Sequence, residues 1–579
     1  MNFIISFIKR LLFIIIFIYI SFKIHFILLY DLFTAKEVII PYGLKPFDIC
    51  SDNPELWYYL KIIYIFVFLF SHFIVLNSFY NRFILKFSNF IDSLFHSRNY
   101  FQHEHNSNLD INSLHFLIGF DAKSNKNIYI PEKGLYQNFL ITGTIGSGKT
   151  SSAMYPFTEQ LLQFNSSHHS SKFALLILDA KGNYYNQVVS FCKLYNLLDD
   201  LIIIQLNSNV FYNPLHKPNL KAKVLAHRLK TILLLFSENN TESYWLDKAE
   251  DILCECIKFC RLYNSGYVTF FELHKLVTST EYYQEKLEVV KENFILNKYN
   301  DKEIFELNSC ISFFENEFLN LDNRTKGILI SEITRITNPF VSDYDVLKTF
   351  CSPKERLTFN GFDEVLQNGK IVVLNMNIFE YTSLAKIIAT YLKLDFQSEV
   401  MINLSNNNVF SSAFICDEYD KFASKSDGEF FSLSREAKCI NIISTQSYTS
   451  LKTTLHDDSF VKVIIQNLIN KIWFRTDDIF TIEETQKQLG KEEFVKTSKS
   501  ISENAKETKF NYFTNTLNSD NSSISETYNT YSQKDFKFDF NFFTQNLETF
   551  TALAFLTDGD KIYQPSKLNM IPFFKQKGH

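Results

Sequence analysis

Residues 137–164 read QNFLITGTIGSGKTSSAMYPFTEQLLQF, and this stretch decides how the rest of the 579-residue chain is read. Residues 138–142 form an apolar run of strand length, and a helical pattern begins at Ser151. Between them, Gly143-Thr144-Ile145-Gly146-Ser147-Gly148-Lys149-Thr150 fits G-x-x-x-x-G-K-[ST]. In such a loop the glycines let successive backbone N–H groups turn inward around phosphate oxygens, at the positive end of the following helix. Lys149 is then the residue that reaches the β- and γ-phosphates, and the Thr150 hydroxyl the one that ligates magnesium. The expected nucleotide cradle runs from Gly143 through Ser151, and the expected cofactors are ATP and Mg2+. A chance glycine-rich turn has no reason to carry a strand before it, a helix after it and an intact Gly-Lys-Thr.

A phosphate loop alone binds nucleotide; hydrolysis needs a second strand that ends in acid. Residues 409–416 (VFSSAFIC) read as a buried strand running into Asp417-Glu418. Asp417 is the expected magnesium-side carboxylate, directly or through water, and Glu418 the general base that polarises the attacking water. Further on, residues 429–447 (EFFSLSREAKCINIISTQS) predict a helix bearing Arg435, then a strand over 439–444 ending near Gln446. Arg435 is a candidate arginine finger for a neighbouring subunit, with Arg475 (NKIWFRTDD) as its rival. Gln446 is a candidate sensor of the γ-phosphate. The plainer reading of Arg435 is a solvated charge or an internal ion pair.

Taken in order, ITGTIGSGKTSSAMYPF, LLILDAKGNYYNQVV, YNPL, YWLDKAEDIL, ICDEYDKF and ISTQS resemble the type IV coupling proteins. Pro156 matches a proline early in that family's first helix. Asp179, Lys181 and Gly182 match its D-x-K-G, Asn213-Pro214-Leu215 its N-P-L turn, and Trp245 its usual tryptophan. There are departures: Thr150 stands where many members have Gly after the lysine, and Asp179-Ala-Lys-Gly-Asn183 replaces D-P-K-G-E. The resemblance implies an α/β fold, with a RecA-like P-loop ATPase core, an inserted all-α domain and two N-terminal transmembrane helices. It also implies a ring, a homo-hexamer, with each site at a subunit boundary.

Between the motifs, residues 241–350 replace the strand–helix alternation with helix after helix, and resemble the all-α domain that this family inserts where substrates dock. They hold 19 Asp/Glu against 12 Lys/Arg, a net of −7, which makes a poor general DNA surface and suits basic protein tails better. Residues 369–376 resume the core with another buried strand, and residues 381–401 predict a helix. Residues 496–534, rich in Ser, Asn and Thr without an apolar period, read as a mobile surface loop. The expected domains are a membrane anchor over 1–100, a first core part over 101–240, the all-α domain over 241–350 and a second core part over 351–579.

At the amino end, residues 11–30 and 57–79 are apolar runs long enough to span a bilayer. Lys9 and Arg10 before the first and Arg82 and Lys86 after the second predict both chain ends in the cytoplasm, with a small acidic loop outside. Lys and His late in the first run, and no small-residue cleavage site, argue against a cleaved signal peptide. A formal net charge of −5 argues against a generally basic nucleic-acid coat protein. Cys254, Cys256 and Cys260 invite a metal reading, but they fall in a helical stretch with no matching second pair, which favours core packing.

The expected protein is therefore a bacterial inner-membrane, multi-pass ATPase with a cytoplasmic body. Its expected role is to recruit DNA-relaxase or effector-protein substrates and to use ATP hydrolysis to deliver them to a type IV secretion or conjugation channel. Its partners would be the inner-membrane components and ATPases of that system, the substrate, and membrane lipid. A membrane-tethered DNA translocase for chromosome or plasmid segregation shares the core, but would carry a longer linker and a DNA-reading C-terminal module. A degenerate scaffold is opposed by the intact Lys149, Thr150, Asp417 and Glu418.

Overall fold

A computed structural model describes residues 113–576, except 237–242, 297, 405–408, 505–508, 512–515 and 519–522, together with Glu55, Tyr59 and Ile63. The chain divides into two units, Met1–His105 with Lys575–His579, and Asn106–Phe574. The elements that follow belong to the second.

Its strands are β1 (His115–Asp121), β2 (Asn127–Pro131), β3 (Phe139–Thr142), β4 (Phe173–Asp179), β5 (Leu201–Ile204), β6 (Ile371–Leu374), β7 (Ser411–Asp417), β8 (Cys439–Thr445), β9 (Asn470–Phe474), β10 (Lys491–Asn504), β11 (Lys509–Asn511), β12 (Thr516–Asn518), β13 (Ser523–Phe536), β14 (Thr551–Phe555) and β15 (Ser566–Asn569). Eleven of them form one sheet in the order β2-β1-β15-β14-β9-β3-β8-β7-β4-β6-β5. From β9 to β5 all neighbours are parallel, and β14, β15, β1 and β2 extend the sheet antiparallel.

The parallel strands are buried on both faces, which is why β4 (FALLILD) and β8 (CINIIST) show almost no polar alternation. Their side chains still alternate between two cores. Ala174, Leu176 and Leu178 face one, which also takes in the helices Ala222–Leu234 and Ile378–Ile402 and the helical region. Phe173, Leu175 and Ile177 face the other, filled by the helices Tyr155–Ser167 and Tyr184–Leu194.

The helical region comprises Ser243–Tyr263, Phe270–Thr278, Thr280–Ile295, Asp301–Ser312, Asn323–Val341 and Tyr344–Phe350. Thr269 with Glu272, and Asn300 with Glu303, close reciprocal capping boxes, while Asp322 and Asp343 cap the last two helices. Cys254, Cys256 and Cys260 are buried in the first of these helices, and burial pushes their thiols up.

Three sequence expectations need correction. Residues 496–534 contain a two-stranded antiparallel ribbon, β10 against β13, paired from Lys491–Phe536 to Asn504–Ser523. It escaped notice because neither face is covered, so no apolar period betrays it. The helix before β8 ends at Leu433, and Arg435 sits in the turn beyond, where its carbonyl accepts the Lys438 N–H at 3.1 Å.

The third correction concerns the membrane. The expected spans lie outside the described residues except for Tyr59 and Ile63, both exposed and helical. Among the described residues no helix is long and apolar enough to cross a membrane, so the multi-pass inner-membrane placement is overturned. The long helical segment Ile378–Ile402, kinked at Thr382, packs its apolar side chains into the protein's own core and carries buried Lys393, Asp395 and Glu399.

Candidate nucleotide site

The residues expected to touch nucleotide within one chain lie at the carboxyl ends of the parallel strands, where β3, β8 and β7 stand side by side. The loop leaves β3 at Gly143 and enters a π-helical turn, Thr150–Met154, that runs into the helix Tyr155–Ser167. Gly148 (φ 102°) cannot be replaced: a Cβ there would sit 2.6 Å from the Phe550 ring. The loop is braced from outside. Thr144 donates its N–H to the Arg475 carbonyl at 2.9 Å, and Phe550 donates its own to the Ser147 carbonyl at 3.1 Å. Ser151 and Ser152 return their hydroxyls to the Gly148 carbonyl at 3.3 and 2.7 Å. Ile145, at the tip, is exposed.

The Lys149 ammonium curls back over the loop and donates to the Gly143 and Thr144 carbonyls. Burial pulls it below the usual lysine range, against the opposing charge of Asp417 and Glu418. Thr150 Oγ1 donates to Asp417 Oδ2 at 2.7 Å. The other Asp417 oxygen accepts from the Ser444 hydroxyl and, at 3.0 Å, from the Glu418 N–H. Thr150 and Asp417 are two hard oxygen donors in direct contact, a donor set suited to a Mg2+ ion that keeps several of its waters.

Asp179, opposite Asp417 in the β4–β7 register, accepts N–H bonds from Lys181, Asn183 and Tyr184 at 3.0–3.2 Å. Burial, then the charge on Asp417, raises its carboxyl above the usual range. Glu418 leaves the strand in the left-handed region (φ 51°), and its carboxylate meets Lys181 Nζ at 2.6 Å. Burial opposes the Lys181 charge, but the bond to Glu418 outweighs it and raises the ammonium. Beneath this turn, Lys393 Nζ donates to the Phe422 carbonyl at 2.7 Å, Ser424 Oγ at 2.8 Å and Asp427 Oδ2 at 2.6 Å. Tyr419, next to Glu418, donates its hydroxyl to the same Asp427 carboxylate.

The structure thus brings together Lys149, Thr150, Asp417 and Glu418. Gln446 follows β8 at the same edge, half-buried. Arg475 leaves β9 there too, its side chain exposed. Arg435 does not join them: it precedes β8, at the opposite edge of the sheet, and is exposed. Sequence reasoning gave no role to Ser444, Lys181 or Phe550. Lys181 was visible as part of D-x-K-G; the other two carry no local signal, because only the sheet order brings them in.

Residues 412–535 match the family model described as the TraM recognition site of TraD and TraG. No curated protein sequence matches the chain. Among solved structures, the chain is similar to the bacterial conjugative coupling protein TrwBdeltaN70 in an unbound form. The two are 13% identical with a TM-score of 0.51, covering 79% of this chain and 88% of that one. The plasmid coupling protein TrwB is similar both with a non-hydrolysable GTP analogue and with ADP and Mg2+; each is 13% identical, with a TM-score of 0.50, covering 76% of this chain and 87% of that one. These structures share the fold, an α/β core built on a large mixed sheet. The 412–535 match lies inside that fold, so the chain is similar to conjugative coupling proteins both in this segment and in its core.

Proposed function

We propose that this chain is an ATPase of conjugative DNA transfer, which binds ATP with Mg2+ and couples its hydrolysis to the delivery of substrate. The observation that carries this reading is the contact of the Thr150 hydroxyl with Asp417, one residue from Glu418 and beside the Lys149 loop. TrwB, similar in fold, is described in complex with ADP and Mg2+.

In this reading the backbone N–H groups from Gly143 to Ser151 orient the phosphates, and Lys149 moves from the loop carbonyls onto the β- and γ-phosphates. Thr150 and Asp417 would hold Mg2+, which would supply positive charge against the phosphates. Glu418 accepts the proton of a water as its oxygen bonds to the γ-phosphorus. The bond from that phosphorus to the bridging oxygen breaks, and ADP leaves. Gln446 reads the presence of the γ-phosphate. Seven residues of β8 span roughly 20 Å, so Arg435 serves only a neighbouring subunit's site, which requires the ring; Arg475 lies on the rim of its own chain's site.

The domain division follows the same reading: a core in two parts, 101–240 and 351–579, around an all-α insert, 241–350. The insert recruits the DNA–relaxase complex or effector proteins. Within 412–535 we place a surface of the kind that in TraD and TraG recognises TraM.

The test is nucleotide binding and ATP hydrolysis by the full-length protein, titrated with single- and double-stranded DNA. Lys149-dependent hydrolysis that rises with DNA supports the reading. Hydrolysis indifferent to DNA moves the substrate toward protein, and wild-type protein that neither binds nor hydrolyses ATP refutes it.

A further inference from the structure

The ion pair of Lys181 with Glu418 has an odd position for a merely structural contact. Its base is rigid: the Lys181 N–H is fixed on Asp179, and the next residue, Gly182 (φ 67°), packs so closely that a Cβ would sit 2.8 Å from the Asn377 nitrogen. Its head reaches solvent. The Lys181 side chain is 49% exposed, whereas Glu418 is 12% exposed. The contrast is Lys393–Asp427, both fully buried, a pair with no room to exchange partners.

Two ammonium groups and three carboxylates share this edge, and the charges of Lys149 and Lys181 act on each other. An ammonium on the Glu418 carboxylate occupies an oxygen that the attacking water needs. Because the Lys181 end of the pair is half exposed, its ammonium can be rehydrated as it leaves Glu418. The γ-phosphate brings concentrated negative charge to the same edge, and Lys has a flexible four-carbon stem.

We propose that Lys181 restrains Glu418 in the nucleotide-free protein and transfers its ammonium to the γ-phosphate when ATP binds, freeing the base as the substrate arrives. This inference rests on the assignment of Glu418 as the base and of the 143–151 loop as the nucleotide cradle. In this exchange the Lys181 backbone stays fixed on Asp179 and only its side chain changes partner. ADP, without a γ-phosphate, leaves the restraint in place, and a mimic of the transferring phosphoryl group removes it.

The experiment is zero-length carbodiimide coupling of the full-length protein, read by mass spectrometry. The reagent activates the Glu418 carboxyl, the Lys181 amine attacks it, an amide forms and the urea leaves. The expected result is a 181–418 linked peptide without nucleotide and with ADP·Mg2+, reduced about tenfold or more by ADP–aluminium fluoride. In parallel, Lys181→Ala keeps its affinity for ADP but loses about tenfold or more in affinity for ADP–aluminium fluoride. Its kcat falls with KM little changed, and Lys181→Arg recovers most of both. An undiminished link with the mimic, or a Lys181→Ala protein that binds the mimic as wild type does, overturns the proposal. Lys181→Gln repeats the binding measurement should Lys181→Ala fail to fold. Wild-type protein that binds neither nucleotide refutes the cradle itself, a result distinct from failure of the Lys181 exchange alone.

Discussion

The segment 412–535 contains two very different kinds of structure, a buried cluster and an exposed ribbon. At one end, β7 delivers Asp417 and Glu418 into a cluster whose partners come from far apart in sequence: Thr150, Lys181, Ser444. At the other end, the ribbon of β10 and β13 touches little but itself, and its ion pairs, such as Lys496–Asp535 and Lys499–Glu526, run between its own exposed strands. Chemistry explains the difference. Phosphoryl transfer is catalysed by positioning, which long-range packing supplies. A lone two-stranded ribbon is only marginally stable in water, and one attached to a rigid body is suited to meeting a partner.

Breaking the first region should cost most. Lys149→Ala should lower kcat/KM for ATP by about 100-fold or more, as removal of a single charge-stabilising donor does elsewhere; steady-state hydrolysis checks it. If Lys149→Ala turned over normally, the two regions would be functionally alike.

The packing beneath Glu418 should matter next. Lys393→Met leaves the Asp427 carboxylate buried and without its cation, and should destabilise the fold by about 3–5 kcal/mol. A denaturant titration followed by tryptophan fluorescence would report this. An unchanged midpoint would mean that the turn after β7 is not held from below.

The ribbon should matter least to the fold. Gly490 and Lys537 are already joined by a hydrogen bond of 3.2 Å, so residues 491–536 can be replaced by a short glycine–serine turn. Stability should stay within about 0.5 kcal/mol of wild type and basal ATP hydrolysis should be unaltered. A large loss of either would show that the ribbon belongs to the core and would remove the contrast.

The two regions also differ in how far the sequence revealed them. Gly146, Gly148 and Lys149 carry a local signal, because the proposed phosphate loop needs backbone freedom at fixed offsets. Asp417-Glu418 could be paired with that loop because an apolar run ends in acid. Ser444 and Phe550 could not, since β8 lies between β3 and β7 only in the sheet. The ribbon was misread as a loop because exposed strands rich in Ser, Thr and Asn lack the alternation that burial imposes. Arg435 was placed on a helix because Leu433 gives no stop signal of the glycine or proline kind; the chain turns where Ser434 is buried against Asn138. The apolar runs over 11–30 and 57–79 satisfied a length criterion, yet among the described residues the long helices bury their apolar faces in protein.

The central claim is that Glu418 acts on the water that attacks ATP bound at the Lys149 loop. It is tested most directly by measuring ATP affinity and single-turnover hydrolysis in Glu418→Gln beside wild type. The account predicts ATP affinity within about threefold of wild type and hydrolysis slower by about 100- to 10,000-fold. Hydrolysis at the wild-type rate would contradict it.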